Sequence, residues 1–478
     1  MKVKVIYFTT LIVTLLLALL LTALERVKPH LRFHHHTQTI KQVKPKDSKV
    51  FQSHLPIISI DTHKQAIPIK RETEPDSQHQ VTIKTQVKLF DELDRSHSLS
   101  ETPREVTDAL VAYRGNSSRH FDKKSLKIKF INQKKEGRAL TVAGMAKESE
   151  WVLNGPFLDR SLIRNYLSYN ISGEIMTYAP NVRYCELVIN GQYQGLYLIV
   201  ENIKQGPHRV NIDKSDKRAS HTPYIVEWDR AHKAKNLVEN YSYYIRQAGV
   251  SGLDIRYPGL DRLTNRQAQF IQKDISRIEK VLYSYDFQQY PKYIDRDSFA
   301  EYFIINEFFR NADAGKFSTY LYKDLRDKMK LVVWDFNNAF DNQIETAYDE
   351  SGFTMLDLPW FSMLLKDPAF VDLIVKKYHD LRQGKLKTAY LTNYIDETVA
   401  FLGPAIERNN AKWGYVFQMK KPDSFNYLKP YNRNLTSYDQ SVKQLKDFIK
   451  RRGSWLDRHI ETLYQYSASS KNANTLLE

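Results

Sequence analysis

Cysteine is almost absent from this chain of 478 residues, which contains a single one, Cys185. One thiol excludes an intrachain disulfide, so the fold has to be stabilised by burial and hydrogen bonding. Cys185 lies in the strand-like segment YCELVING, residues 184–191, and we interpret it as a small buried apolar residue rather than a reactive thiol. No internal repeat is visible along the sequence.

A dense run of basic residues is also missing, although 71 Lys and Arg against 55 Asp and Glu give a net charge of +16. No nucleic-acid motif with recognisable spacing is present, so we predict no nucleic-acid partner. The basic balance favours acidic partners, which include nucleotides, phosphorylated polymers, anionic cell-wall polymers and membrane surfaces. The length exceeds what one compact core usually needs, which favours two lobes.

Long apolar runs are confined to the N-terminus, where residues 5–24 carry no charge and are rich in leucine. This run is long enough to span a bilayer and longer than the apolar part of most signal peptides. We therefore predict a single-pass transmembrane anchor at residues 1–24, with the body extracellular or in a spore envelope compartment. A cleaved signal peptide is the alternative. The polar stretch 25–53 is typical of a linker.

The remaining chain predicts an α+β protein with two lobes. Short β-branched and alternating segments dominate residues 54–265, which we interpret as a β-rich N-lobe with a helical insertion. Amphipathic helical periodicity dominates residues 266–466, which predicts a mainly helical C-lobe. Residues 467–478 are predicted to be a disordered tail.

Two acidic residues on separate core elements are the strongest candidates for chemistry. Asp335 follows the apolar run of VVWDFNNAF, and Asp313 follows a predicted helix in NADAGKF. One carboxylate could hold a Mg²⁺ ion that bridges phosphate oxygens while the other accepts a hydroxyl proton. The alternatives are a turn-forming role for Asp335 and a loop role for Asp313. Glu227 and Asp229 in IVEWD are strand-end carboxylates and weaker candidates, of the kind that could pair with a lysine.

A basic loop lies far upstream, in residues 113–130. A turn between Arg114 and Arg119 offers backbone N–H groups that can donate hydrogen bonds to phosphate oxygens. Strand alternation places Lys124 on the inward face, where it needs an anionic partner, and Glu201 could be that partner. An ordinary hairpin with surface lysines is the alternative.

Several motifs together carry a resemblance to a known family. In order they are RGNSSRHFDKKSLKIKF, WVLNGPFLDRSLIRN, INGQYQGLYLIVENI, NADAGKFSTYLYKD and VVWDFNNAF, followed by ERNNAKWGY and LKDFIKRRGSWLDRHI. The chain resembles the CotH family of spore-coat kinase-like proteins over roughly residues 55–463.

The resemblance implies a kinase-like two-lobed fold and transfer of phosphate from ATP, with Mg²⁺ or Mn²⁺, to Ser or Thr of a Ser/Thr-rich coat or envelope protein. Asp313 would be the catalytic residue, and Asp335 and Asn337 would hold the metal. The implied ATP-binding residues are Arg114, Asn116, Ser117, Arg119, Lys124, Lys127 and Glu201, with Lys127 as the alternative to Lys124 for the main phosphate contact.

Two residues depart from the family pattern. Ser318 stands where kinase-like loops often have a metal-holding Asn, and Asn337 stands where the family often has a second acid. These departures keep a second hypothesis open, a catalytically weak pseudokinase that acts as a spore-coat or envelope scaffold. A glycosidase that uses Asp313 and Asp335 as an acid/base pair is a third alternative.

Overall fold

The computed structural model describes residues 7, 10–17, 35–37, 39–42, 50–69, 81–115, 117–242, 251–419 and 425–467. Residues 1–33 and 34–478 form two separate compact units. Within the first unit, residues 10–17 are helical. Most of the predicted anchor, most of the predicted linker, Asn116 and the predicted tail after residue 467 lie outside the described residues.

Strands fill the first part of the larger unit. They are β1 Gln52–Ser53, β2 Ile57–Asp61, β3 Ile83–Phe90, β4 His97–Ser98, β5 Glu105–Arg114, β6 Ser125–Ile131, β7 Leu140–Val142, β8 Met145–Glu148, β9 Glu150–Asn154, β10 Val182–Ile189, β11 Gln192–Glu201, β12 Tyr224–Asp229, β13 Gly252–Tyr257, β14 Thr319–Lys323 and β15 Lys330–Val332. Seven of them form a closed barrel in the order β10-β11-β9-β6-β5-β3-β2. Its strand pairs are antiparallel except β10 and β2.

Alternating apolar residues explain why these strands close around a core. In β6, Leu126, Ile128 and Phe130 are buried in one cluster, whereas Lys127 and Lys129 point to the other face. Strand β10 is buried along nearly its whole length, because one face packs in the barrel and the other packs on a helix. Cys185 in this strand is fully buried, as predicted.

A second sheet of four strands has the order β13-β12-β14-β15 and is antiparallel throughout. Strand β12 is its centre and pairs with β14, which is about a hundred residues later in the chain. Strand β12 ends at Asp229, and β15 ends three residues before Asp335. Both aspartates line the same cleft. This sheet is therefore the scaffold of the acidic residues.

One helix lies between the barrel strands β9 and β10, and the others fill the C-terminal part. They are α1 Arg164–Ile175, α2 Asn265–Tyr283, α3 Arg296–Phe309, α4 Phe361–Leu364, α5 Pro368–Gln383, α6 Thr388–Leu402, α7 Pro404–Trp413, α8 Tyr438–His459 and α9 Tyr464–Ser467. Helix α2 begins with a capping box, in which the side chains of Thr264 and Gln267 bond each other's backbone N–H groups. Helix α3 ends at Phe309 because Arg310 adopts a left-handed conformation with φ of 50°.

A buried ion pair joins α3 to α8. Arg452 of α8 is fully buried and donates to the carboxylate and the carbonyl oxygen of Glu307, each at 2.9 Å. It also donates to the carbonyl oxygens of Glu350 and Gly352. Glu307 in turn accepts bonds from the N–H groups of Thr354 and Met355. The end of α3, from which the Asp313 loop leaves, is thereby fixed.

The expected kinase-like, two-lobed α+β body preceded by a transmembrane helix is wrong. The N-terminal strands close into a seven-stranded barrel, and the second sheet joins β12 and β13 from the predicted N-lobe to β14 and β15 from the predicted C-lobe. Strand pairing across that boundary could not be read from local patterns. Across the described ranges, no helix has both the length and the apolar character needed to cross a membrane.

We expect the substitution Arg452→Met to lower the free energy of unfolding by about 3–5 kcal/mol, because it leaves Glu307 as a buried carboxylate without its cation. Lys443→Ala, which removes an exposed pair with Asp447 one turn away, should lower it by at most ~0.5 kcal/mol. Urea unfolding followed by circular dichroism measures both. Equal losses in the two variants would contradict the role given to the buried pair.

Candidate functional site

A cleft of about 1610 Å³ lies between one end of the barrel and the four-stranded sheet. Most of the residues predicted from the sequence to form a site line this cleft: Arg114, Arg119, Lys127, Asp313, Asp335 and Asn337. The structure therefore brings together segments that are more than two hundred residues apart in the chain. Lys124 and Glu201 are not among the lining residues.

Asp335 occupies a sharp bend two residues after Val333, with a left-handed φ of 57°. Its backbone N–H donates to the hydroxyl oxygen of Tyr169 at 3.0 Å, and its carbonyl accepts a bond from the Asn311 amide at 3.2 Å. One carboxylate oxygen, Oδ1, accepts the N–H of Asn337 at 3.2 Å. A left-handed aspartate is strained relative to a strand, and these bonds keep it there.

Helix α1 supplies a second set of bonds to the same bend. The Oδ1 atom of Asn165 accepts the backbone N–H of Phe336 at 2.9 Å. The Nδ2 atom of Asn165 donates to Oδ1 of Asn337 at 2.6 Å and to Oδ1 of Asn154 at 3.2 Å. Asn165 and Tyr169 are one helical turn apart, so a single face of α1 holds residues 335–337.

Asp313 lies in the loop after α3 and reaches the cleft from the other side. Its Oδ2 atom accepts a bond from the side-chain amide of Asn338 at 2.7 Å. Its carbonyl oxygen accepts the N–H of Phe317 at 2.9 Å, which closes the loop into a turn. Asn338 therefore ties the Asp313 loop to the Asp335 bend. Ser318, in the same loop, also lines the cleft and has φ of 50°.

Three carboxylates influence one another in the cleft. Burial raises the pKa of Asp335, and the negative charges of Asp313 and Asp229 raise it further. The hydrogen bond from the N–H of Asn337 and the positive charge of Arg114 act in the opposite direction and lower this pKa. Burial likewise raises the pKa of Asp313, against the charge of Arg230 and the bond from Asn338. Asp229, ranked lower from the sequence, ends β12 and belongs to the same acidic group.

Basic side chains from β5, from β6 and from the segment between them also line the cleft, and we call this part its basic wall, although Glu150 lies in it as well. The guanidinium of Arg114, at the end of β5, lies 5.6 Å from the ring centre of Trp334, the residue before Asp335. Lys127 of β6 lies 3.5 Å from Glu150 of β9, and both line the cleft. Arg119 lines it from the short 3₁₀ helix Ser117–His120, which contains the backbone of Ser117.

The expected pair between Lys124 and Glu201 is not formed. Lys124 precedes β6 and donates to the carbonyl oxygen of Phe121 at 2.6 Å. Glu201 is fully buried and bonds Arg209 at 2.8 Å and Asn181 at 2.9 Å. Alternation failed here because the strand begins one residue after Lys124, so its side chain follows the loop rather than the strand. Lys127 is the lysine of this cluster that lines the cleft.

The residues of this cleft fit a divalent metal only if a bound substrate supplies part of the coordination. In the part of the chain that the structure describes, no three His, Cys, Asp or Glu side chains are grouped closely enough to hold a metal by themselves. Mg²⁺ usually keeps several waters and binds one or two carboxylates together with substrate phosphates. Asp335, with Asp313 nearby, provides such a partial set beside the basic wall.

Several residues of the site are not predicted from the sequence alone. They are Asn154, Asn165, Tyr169 and Asn338. Asn and Tyr are common in all proteins, and only the three-dimensional structure shows that these four form hydrogen bonds within the site. The doubled Asn of DFNNAF was a usable signal for Asn338. Nothing local marks Tyr169, which acts through its hydroxyl oxygen.

The comparisons with known proteins now place the chain in a class. Residues 111–456 match the profile of the family described as CotH kinase protein, and this match covers well over half of the sequence. The chain therefore belongs to the CotH kinase protein family, as the motifs predicted. One similar protein is the inner spore coat protein H of Bacillus subtilis (strain 168). The two are 22% identical over 360 residues, which are 74% of this chain and 88% of that protein.

We expect Asp335→Asn to raise the melting temperature at neutral pH by roughly 1–2 °C. A buried carboxylate with a raised pKa destabilises the folded state wherever it is ionised, and the amide removes that charge while keeping an acceptor for the Asn337 N–H. The gain should shrink as the pH falls through the folded-state pKa, because the native carboxyl then becomes protonated. Calorimetry at several pH values measures this, and a gain that grows toward acid would contradict it.

Proposed function

We propose that this protein is a phosphotransferase that moves the terminal phosphate of ATP to Ser or Thr of a Ser/Thr-rich coat or envelope protein. The observation that carries the proposal is the meeting of Asp313, Asp335 and the basic residues Arg114 and Lys127 in one cleft. A metal–nucleotide complex carries charge of both signs, and this cleft offers both.

Asp335 is the residue proposed to hold the Mg²⁺ or Mn²⁺ ion. It stands at a rigid bend fixed by Tyr169 and Asn165, so its carboxylate has little freedom to relax away from a ligand. One of its oxygens already accepts the Asn337 N–H, which leaves the other for a cation. The metal, when bound, supplies charge neutralisation at the phosphate oxygens.

Asp313 is proposed to accept the proton of the substrate hydroxyl. A general base is most effective when its pKa lies near the working pH, and burial moves the pKa of Asp313 upward from its ordinary value. The Asn338 amide bonds Oδ2, so the carboxyl group has a defined orientation and its other oxygen remains for the hydroxyl. Asn338 is therefore a positioning residue.

The place of action is proposed from the named relative. That protein is an inner spore coat protein, and the match spans most of both chains. A location in the spore coat or envelope, and a coat protein as substrate, follow by similarity. Anionic cell-wall polymers are a further proposed partner for the net charge of +16.

A non-catalytic scaffold is the second candidate. Asn337 in place of a second acid, Ser318 in place of an Asn, and the lack of a complete set of metal-binding side chains in the described ranges favour it. A scaffold of this kind would keep the cleft but bind an anionic partner without transferring phosphate.

We expect the purified full-length protein to transfer labelled phosphate from ATP with Mn²⁺ to dephosphorylated casein or to itself. Asp335→Asn and Asp313→Asn should each lower the rate at least ~100-fold, because each removes a charge used in the transfer. Asp396→Asn, which removes an exposed carboxylate paired with Lys446, should leave it unchanged. Absence of both transfer and Mn²⁺-dependent ATP binding in the wild type would contradict the proposal, and binding without transfer would favour the scaffold.

We expect Lys127→Met to weaken ATP binding by about tenfold and Lys124→Met to change it little, because Lys127 lines the cleft while Lys124 bonds a backbone carbonyl. Isothermal titration with ATP and Mn²⁺ measures both constants. The two substitutions remove the same charge at positions only three residues apart in the chain, so each controls for the other. A larger effect at Lys124 would contradict the assignment.

A further inference from the structure

The orientation of three asparagine amides in the cleft follows from one backbone group. The N–H of Phe336 can only donate, so the Asn165 atom that it meets at 2.9 Å has to be the oxygen Oδ1. The other end of the Asn165 amide is then the nitrogen Nδ2, which can only donate. The two atoms that it meets, in Asn154 and Asn337, therefore have to be their oxygens.

Both outer asparagines consequently turn their amide nitrogens away from Asn165. Asn154 and Asn337 each line the cleft, and neither nitrogen has a hydrogen-bond partner among the residues that the structure describes. Each nitrogen carries two N–H groups. Asn165 itself is buried and cannot turn over without losing its bond to Phe336. The arrangement is thus a fixed pair of donor groups at the edge of the cleft.

A cation stands beside this pair. Arg114 lines the same cleft, and its side chain contacts the Trp334 ring but makes no hydrogen bond or ion pair with any other described residue. Register places Arg114 opposite Ser125 on β6, and Ser125 accepts the N–H of Gly155, the residue after Asn154. The amide nitrogens of Asn154 and Asn337 and the guanidinium of Arg114 thus donate to no acceptor within the described residues. Hydrogen-bond donors that line one cleft without acceptors bind anions.

We propose that Asn154 and Asn337 form, with Arg114, a subsite for the anionic oxygens of a polyphosphate, oriented by Asn165. The inference rests on the proposed function, because the phosphates of ATP are the expected ligand. It gives Asn337 a role different from the predicted metal ligand: its amide nitrogen donates to the anion, while its oxygen accepts the bond from Asn165. Asn154 becomes a binding residue that no motif identified.

The test is binding of inorganic tripolyphosphate to the full-length protein in EDTA, measured by isothermal titration. Asn154→Asp and Asn337→Asp each replace a donor nitrogen by an anionic oxygen and should weaken binding roughly tenfold or more. Asn202→Asp makes the same charge change at another lining residue and should have less than a twofold effect. Citrate, a carboxylate probe of similar charge, should bind more weakly than tripolyphosphate and be less sensitive to these substitutions.

The outcomes separate this inference from the proposed function. Equal weakening by Asn202→Asp would show only a general charge effect and would overturn the subsite. Tighter Mn²⁺ binding by Asn337→Asp with unchanged metal-free tripolyphosphate binding would overturn it in favour of a metal ligand. If the aspartate variants unfold, Asn154→Ala and Asn337→Ala test the same donors without a new charge, and unchanged binding by both would overturn it. Tripolyphosphate binding with the expected pattern, in a protein that transfers no phosphate, would support the subsite and contradict the phosphotransferase.

Discussion

The hydrogen bonds from α1 to the bend at residues 335–337 are the interaction on which the cleft depends. An aspartate in the left-handed region after a strand would relax in isolation, because that backbone conformation is unfavourable for a side chain with a Cβ atom. Tyr169 and Asn165 accept the two successive backbone N–H groups of Asp335 and Phe336, one turn apart on one helix. The strain is therefore held by a rigid element, and the carboxylate keeps its direction into the cleft.

This dependence explains part of an unusual feature of α1. The helix is buried on all sides from Arg164 to Gly173, although half of those residues are polar. Asn165 is occupied by the bend, and Arg164 bonds Asp159 at 2.6 Å and reaches Gln444 at 2.7 Å. Through Asn165 and Arg164, α1 joins the end of the barrel to the Asp335 bend and to α8. The buried side-chain polar atoms of Ser168, Asn170 and Ser172 on the same helix make no such bond within the described residues.

Helix α1 also shows which features of the fold and of the site can be predicted from the sequence. Its apolar spacing predicted the helix itself, but periodicity reports only that one face is apolar, not what covers the polar face. The cleft carboxylates were identifiable because each follows an apolar run that had to be buried. The predicted Lys124–Glu201 pair is not formed, because β6 begins one residue after Lys124 and the lysine side chain is therefore directed by the preceding loop. The closed barrel and the β12–β14 pairing depend on contacts between distant strands, which local patterns do not contain.

The treatment of charge distinguishes the cleft from the rest of the protein. Where charges serve only the fold, they are paired directly, as in Arg452 with Glu307 and Arg209 with Glu201. In the cleft, burial raises the pKa of Asp335, and no cation among the described residues is bonded to it. Arg114 lies near it and forms no ion pair with any residue that the structure describes. Leaving Asp335 without a cation lowers stability, because the buried carboxylate loses hydration without gaining a partner. The arrangement is reasonable if a bound ligand supplies both partners, a cation for the Asp335 carboxylate and an anion for the Arg114 guanidinium. A metal ion bound to a polyphosphate is such a ligand. Its binding would offset the cost of the buried, unpaired carboxylate and would stabilise the folded state.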